Sequence, residues 1–116
     1  MEDLLISTLE SFGFPVFLQG SLGKEDAYPD DFFTWWERPS YDGAHYDNKA
    51  VSCVYEYSIY FYSNNPSHPY EYIKKAKALL QSKNFILSGK GYGVVSDEIT
   101  HTGRGIDAIF IEREVS

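Results

Sequence analysis

Three residues in one polar segment have the side chains that bind divalent metals. Asp42, His45 and Asp47 follow one another within six residues, and carboxylates and imidazoles are common metal ligands. Their spacing, however, matches no ligand pattern that closes a defined site. Solvated side chains on a loop are the better interpretation, so we predict that the chain binds neither a metal nor a cofactor.

A second group near the C-terminus has the composition of an acid–base site. Asp97, Glu98 and His101 lie close to Arg104. Acid–base catalysis requires such side chains to converge in a pocket, whereas neighbours on an extended strand point to opposite faces. We therefore favour a structural role in which Arg104 binds a carboxylate through its forked guanidinium. A contact of Arg104 with another subunit is the second interpretation, and catalysis is the last.

The glycine-rich stretches and the cysteine also have non-catalytic interpretations. Phosphate-binding loops place their glycines between a strand and a helix, but residues 89–93 and 103–105 lie between predicted strands and indicate turns or bulges. The single cysteine, Cys53, cannot form an intrachain disulfide, and its apolar neighbours predict a buried thiol. No nucleophile motif is present, so we predict no catalytic residues and no enzyme activity.

Length and charge restrict the class of protein further. The chain has 116 residues, which is typical of one domain, and a net charge of −7. It has no basic patch of the kind that neutralises nucleic-acid phosphates. Ten Tyr, eight Phe and two Trp are typical either of a protein interface or of a tyrosine-rich sheet with one solvated face. Neither a signal segment nor a membrane span is apparent, and we expect a soluble cytoplasmic protein.

The hydrophobic periodicity predicts a single α+β domain over residues 1–116, with two helices on one face of a mixed, mostly antiparallel sheet. The predicted order is α-β-β-β-α-β-β-β. Helices are expected at residues 2–12 and 67–83, and strands at 15–19, 32–38, 51–62, 85–87, 92–97 and 106–112. The last strand is apolar on both faces and is therefore expected inside the sheet.

The clearest strand has two different faces. One face is predicted to enter the core and the other is lined with tyrosine. The core face comprises Val51, Cys53, Tyr55, Tyr57, Ile59 and Phe61, and the opposite face comprises Ser52, Val54, Glu56, Ser58, Tyr60 and Tyr62. The second face is expected to contact either solvent or a neighbouring subunit.

Residues 39–49 have no helix or strand periodicity and predict a long exposed loop, with residues 100–105 a shorter loop or bulge. We predict that the long loop contributes Tyr41, His45 and Tyr46 to subunit contacts; a loop that orders only on assembly is an equal alternative. Trp35 or Trp36, whichever faces outward, is predicted to anchor an interface, while at least one of the two is expected in the core.

Several stretches resemble proteins of phages and prophages of Gram-positive bacteria. The longest is residues 89–112, GKGYGVVSDEITHTGRGIDAIFIE, and the others are PVFLQGSL at 15–22, YPDDFFTWW at 28–36 and DGAHYDNK at 42–49. Together they resemble the tail-completion family of long-tailed phages, which contains tail terminators and head–tail joining proteins. The resemblance covers nearly the whole chain and is strongest at residues 96–105 and 42–49.

The resemblance implies a small α+β subunit that forms a hexameric ring on the head-proximal end of the tail tube. Such a ring stops tail polymerisation and docks the head connector. The implied partners are copies of the chain, the major tail tube protein and the head connector or stopper, and DNA passes through the lumen without specific binding. The implied location is the virion, at the head–tail interface, after assembly in the bacterial cytoplasm. An acidic ring is compatible with passage of DNA, because like charges repel.

Two other functions remain as alternatives. One is an adaptor or regulatory binding module of a prophage with the same α+β core. The other is a small metal-dependent hydrolase that uses Asp97, Glu98 and His101.

Overall fold

The computed structural model describes residues 2–19, 29–42, 52–95 and 100–113. The elements in chain order are helix α1 (Glu2–Glu10), strands β1 (Val16–Leu18), β2 (Asp31–Asp42) and β3 (Ser52–Ser63), helix α2 (His68–Ser82), and strands β4 (Tyr92–Val94) and β5 (Thr102–Arg113). The strands form one sheet in the order β1-β2-β3-β5-β4. The pair β1–β2 is parallel and the other pairs are antiparallel. The predicted α+β fold class is confirmed.

Both helices are amphipathic. Leu5 and Leu9 are one turn apart on α1 and are fully buried. After α1, Gly13 adopts a positive φ of 88°, a conformation that glycine adopts without steric cost. In α2, Ile73, Ala76 and Leu80 form the buried stripe. These side chains place both helices on the same face of the sheet.

The core lies between the two helices and one face of the three long strands. Alternating residues of β2, β3 and β5 point into it, as the period of two predicts. The fully or nearly buried members from these strands are Phe33, Trp35, Tyr57, Ile59, Phe61, Ile106 and Ala108. The assignment of the odd-numbered residues of β3 to the core is therefore confirmed from Tyr57 to Phe61. The side chain of Cys53 lies outside the described part of the structure, so its predicted burial stays a prediction.

Strand β5 is longer than predicted. Thr102 to Gly105, expected to form a loop or bulge, pair in register with Ser63 to Tyr60 of β3. The prediction was wrong because the glycines were interpreted as turn residues. They are strand glycines that leave room for aromatic rings from the neighbouring strand. Strand β5 lies inside the sheet, as predicted, between β3 and β4.

Two other element predictions need correction. The segment expected as a strand at residues 85–87 forms only a single bridge, between Ile86 and Ile109.

Strand β2 continues to Asp42, so the first four residues of the predicted loop at 39–49 belong to a strand. The strand accommodates Pro39 through a register shift between Arg38 and Tyr41, because proline cannot donate a ladder hydrogen bond. Residues 43–49 lie outside the described residues.

Candidate interaction surface

The sheet face opposite the helices, which we call the open face, is rich in aromatic side chains. It is defined here by Trp36 of β2, Ser58, Tyr60 and Tyr62 of β3, Tyr92 of β4 and Asp107 of β5. Within the described ranges both helices pack on the other side, so no helix covers this face. The period-two tyrosine pattern of β3 predicted an accessible surface here. Tyr60 is half-buried, but Ser58 and Tyr62 are only 3% and 8% exposed, so the prediction was wrong for these two residues.

Two tyrosine rings of β3 lie against the open face where the facing residues of β5 are glycines. Tyr60 pairs with Gly105, and Tyr62 pairs with Gly103. A Cβ atom added at Gly103 would lie 2.7 Å from the Tyr62 ring, and one at Gly105 would overlap the Tyr60 ring. Cβ atoms in proteins do not approach other atoms this closely, so neither glycine can be replaced unless a tyrosine ring moves. The two glycines thus leave room for the tyrosine rings beside β5. Tyr62 is only 8% exposed, so Tyr60 is the ring of this pair that a partner can contact.

Hydrogen bonds hold the middle of the open face. The carboxylate of Asp107 accepts bonds from the Tyr92 hydroxyl at 2.8 Å and the Ser58 hydroxyl at 2.9 Å. Arg38 adds an ion pair to Asp107 at 3.4 Å. Burial raises the pKa of the Tyr92 hydroxyl, and the hydrogen bond to Asp107 raises it further. The Tyr92 hydroxyl is therefore held protonated as a hydrogen-bond donor at neutral pH.

The two tryptophans point to opposite sides of the sheet. Trp35 is 7% exposed and packs edge to face on Tyr57 in the core. Trp36 is half-buried on the open face, and its Nε1 donates to the Tyr60 hydroxyl at 3.4 Å. The outward-facing tryptophan of the sequence prediction is therefore Trp36. Its role as an interface anchor stays a prediction.

Arg104 makes contacts within the chain. Its guanidinium donates to the carbonyl of Lys90 from Nε at 3.0 Å and from Nη2 at 2.7 Å, and to the carbonyl of Gly91 at 3.3 Å. The Tyr70 ring lies 5.0 Å below the guanidinium carbon, in cation–π geometry. Arg104 thus has a structural contact at a turn, as favoured above, although its acceptors are backbone carbonyls and not a carboxylate.

Asp31, Ser63 and His68 form a cluster that was not found in the sequence, because the three residues are far apart in the chain. Asp31 Oδ1 accepts bonds from the Ser63 hydroxyl at 2.5 Å and from His68 Nδ1 at 2.8 Å. Burial acts to raise the pKa of Asp31, but these two bonds, with the charge of His68 and His101, outweigh it and lower that pKa.

The Asp31 cluster does not have the geometry of a nucleophilic triad. In a triad the serine donates to the histidine and the histidine donates to the aspartate. Here the serine and the histidine both bind the same aspartate oxygen, and the Ser63 hydroxyl is 3.5 Å from His68 Nδ1. The cluster ties the start of β2 to the end of β3 and the start of α2.

Of the remaining candidate site residues, the structure describes the side chain of His101 but not those of the others. His101 Nε2 donates to the carbonyl of Pro29 at 2.8 Å, so this side chain is held by the backbone. Asp97, Glu98, His45, Tyr46 and Asp47 lie outside the described residues, and so do the side chains of Tyr41 and Asp42. Among the residues that the structure does describe, no three His, Cys, Asp or Glu side chains come together as a possible metal site.

The fold and the open face define a small α+β domain with three partly accessible aromatic side chains, Trp36, Tyr60 and Tyr92, on one face of the sheet. The described part of the chain contains no helix with the length and apolarity needed to cross a membrane. Comparisons of the sequence with models of known protein families and with curated proteins found no match.

Proposed function

We propose that the chain is a structural virion or prophage protein that caps the head-proximal end of a phage tail tube and mediates head–tail joining. It acts through protein–protein contacts in a ring of identical subunits. The observation that supports this proposal best is the open face, whose rings pack beside glycines, are joined by hydrogen bonds and are not covered by either helix.

Aromatic side chains that are rigid before binding suit a protein interface. Tyr and Trp bury a large area at a small cost in conformational entropy, and they are enriched among the residues that dominate binding energies. On the open face, Trp36 and Tyr60 are half-buried and Tyr92 is 41% exposed. Binding of a neighbouring subunit would bury these rings with little rearrangement.

A closed ring requires two different complementary patches on each subunit. The outer edge of β2 offers a second patch, because among the described strands β1 pairs with it only from Phe33 to Trp35. From Trp36 to Asp42 no described strand pairs with this edge, and its backbone groups, apart from Pro39, which has no N–H, could pair with an extended segment of another subunit. The surplus of acidic residues keeps such a ring from binding DNA in its lumen.

The direct test is deletion of the gene from its phage, followed by electron microscopy of the products. Tails of abnormal length, or filled heads beside unattached tails, are expected. Normal virions would exclude the proposal.

A second experiment connects the function to the open face. Trp36→Gln should fold but fail to complement the deletion. Because Trp36 is half-buried and donates to Tyr60, a loss of about 1–2 kcal/mol of stability is expected, so complementation is scored well below the measured melting temperature. The control is Leu18→Gln, since Leu18 is 51% exposed on an edge strand and its side chain lies on the other side of the sheet. Full complementation by the folded Trp36 variant would remove this surface from the proposal.

A further inference from the structure

A basic pocket lies between helix α2 and the turn at residues 89–91. It has a volume of about 320 Å³, and its lining comprises Tyr70, Ile73, Lys74, Lys77, Gly89, Lys90 and Ile106. Three of these seven residues are lysines and none is acidic, although the whole chain carries a net charge of −7. The pocket is thus a local cationic site on an acidic protein.

The pocket is built by specific contacts. Lys77 Nζ donates to the carbonyl of Gly89 at 2.6 Å, which fixes the ammonium group where the helix meets the turn. Gly89 and Gly91 adopt φ values of 75° and 83°, and an added Cβ at Gly91 would overlap the carbonyl oxygen of Gly105. Arg104 binds the other side of the same turn through the Lys90 carbonyl. The turn is therefore held in place before any ligand arrives.

The pocket lining combines lysine ammonium groups with buried isoleucine side chains. Ile73 and Ile106 are almost completely buried, whereas Tyr70 is 46% exposed at the opening. Lys74 and Lys90 are exposed at the rim. The nearest described acidic residue of the same helix turn, Glu71, forms an ion pair with Lys75 at 3.2 Å. A ligand with a short apolar stem and a terminal anion matches this arrangement.

We propose that this pocket binds an aspartate or glutamate side chain of an acidic protein segment. The segment belongs to a subunit or partner in the proposed assembly, and in this choice of partner the inference rests on the proposed function. A carboxylate fits better than a phosphate group, because many phosphate sites add the N–H groups of a helix N-terminus to their cationic side chains. Here the pocket lies along the side of α2 and offers separate lysine ammonium groups.

The test uses the purified full chain and a tetraglutamate peptide, with binding measured by isothermal titration calorimetry and by the amide NMR shifts of Lys77 and Gly89. Tetraglutamine and inorganic phosphate are the comparison ligands. Tetraglutamate should bind, the binding should weaken as salt is added, and tetraglutamine should not bind.

The variant Lys74→Gln/Lys77→Gln should weaken tetraglutamate binding about tenfold, since it removes two charge contacts. The matched control is Lys75→Gln/Lys83→Gln, which removes the same charge from α2 and its C-cap but outside the pocket lining. The single variant Lys74→Gln keeps the hydrogen bond of Lys77 to Gly89 and tests the pocket if the double variant does not fold.

Three results would overturn the inference: no binding of tetraglutamate, equal losses in the pocket and control variants, or tighter binding of inorganic phosphate than of tetraglutamate. Failure of the inference is separable from failure of the proposed function. The peptide experiment needs only the isolated chain, whereas the gene deletion needs only the phage.

Discussion

At the scale of single residues, Asp31 has the environment with the clearest effect on pH dependence. Its carboxylate accepts bonds from Ser63 and His68, and its pKa is below the ordinary value of 3.8. A carboxyl group whose pKa is lower in the folded state stabilises that state above its unfolded pKa. This contribution is complete at neutral pH and is lost as the pH falls below about 4 towards the folded pKa.

We therefore predict that Asp31→Asn lowers the free energy of unfolding at pH 7 by about 1–3 kcal/mol, because bonds to a charged acceptor are lost. The difference in free energy of unfolding between wild type and Asp31→Asn should decrease as the pH is lowered through 4, since the wild-type carboxyl group then becomes protonated. Urea denaturation at pH 7, 5 and 3 measures both effects. The control is Asp30→Asn, whose wild-type carboxylate makes an exposed bond with Asn64. A constant difference between wild type and Asp31→Asn over this pH range would contradict the prediction.

Two arginines of the sheet, Arg38 and Arg104, should contribute differently to stability. Arg104 makes three bonds to backbone carbonyls, whereas Arg38 forms an ion pair with Asp107 in which both side chains are more than 40% exposed. We expect Arg104→Gln to cost about 1–3 kcal/mol and Arg38→Gln less than about 1 kcal/mol. Thermal unfolding of both variants measures the difference. Hydrogen exchange at Gly91 and Tyr92 should accelerate only in Arg104→Gln; equal costs would show that the turn does not depend on Arg104.

At the scale of elements, the strand glycines of β5 are the least replaceable positions of the open face. We predict that Gly105→Ala destabilises the protein by about 1–3 kcal/mol, because the new methyl group overlaps the Tyr60 ring. The Tyr60 ring has little room to move, since Tyr62 and Tyr92 contact it edge to face. Chemical denaturation gives the change in free energy.

The neighbouring strand supplies a matched control for this substitution. Gly93 of β4 pairs with Arg104, and a Cβ added there has no atom within 4 Å. Gly93→Ala should therefore be neutral or slightly stabilising, because alanine has less conformational freedom in the unfolded chain. If both alanine variants lose the same stability, ring overlap is not the cause of the loss at Gly105.

Elements with strong local periodicity could be predicted from the sequence, and elements defined by long-range pairing could not. The alternation along β3 correctly placed Tyr57, Ile59 and Phe61 in the core. The glycines at 103 and 105 were wrongly assigned to a loop, because their strand partners lie more than forty residues earlier in the chain. The same limit applies to the Asp31 cluster and to the basic pocket, each of which joins residues from different elements.

At the scale of the whole molecule, three long strands continue past the short edge strands. Strand β1 pairs with β2 only as far as Trp35, and β4 pairs with β5 only from Gly103 to Gly105. A strand of twelve residues spans about 40 Å, and the molecule is 50 Å long in its largest dimension. The register of β2 and β3 runs from the pair Asp31–Ser63 to the pair Asp42–Cys53. The last residue of β2 and the first residues of β3 therefore lie at the same end of the sheet.

The predicted interface role of residues 39–49 can be tested by substitution. Replacing Tyr41, His45 and Tyr46 together with alanine removes two aromatic rings and an imidazole, and the described core, which includes Leu5, Phe33 and Ile59, is left unchanged. The melting temperature of the isolated chain should change by less than about 4 °C, the shift expected for under 1 kcal/mol in a domain of this size. The variant should nevertheless fail to restore normal virions to the deletion phage, because contacts between subunits would be lost. A variant that folds normally and caps tails as well as wild type would show that assembly depends on other surfaces, of which the open face would then be the first to test.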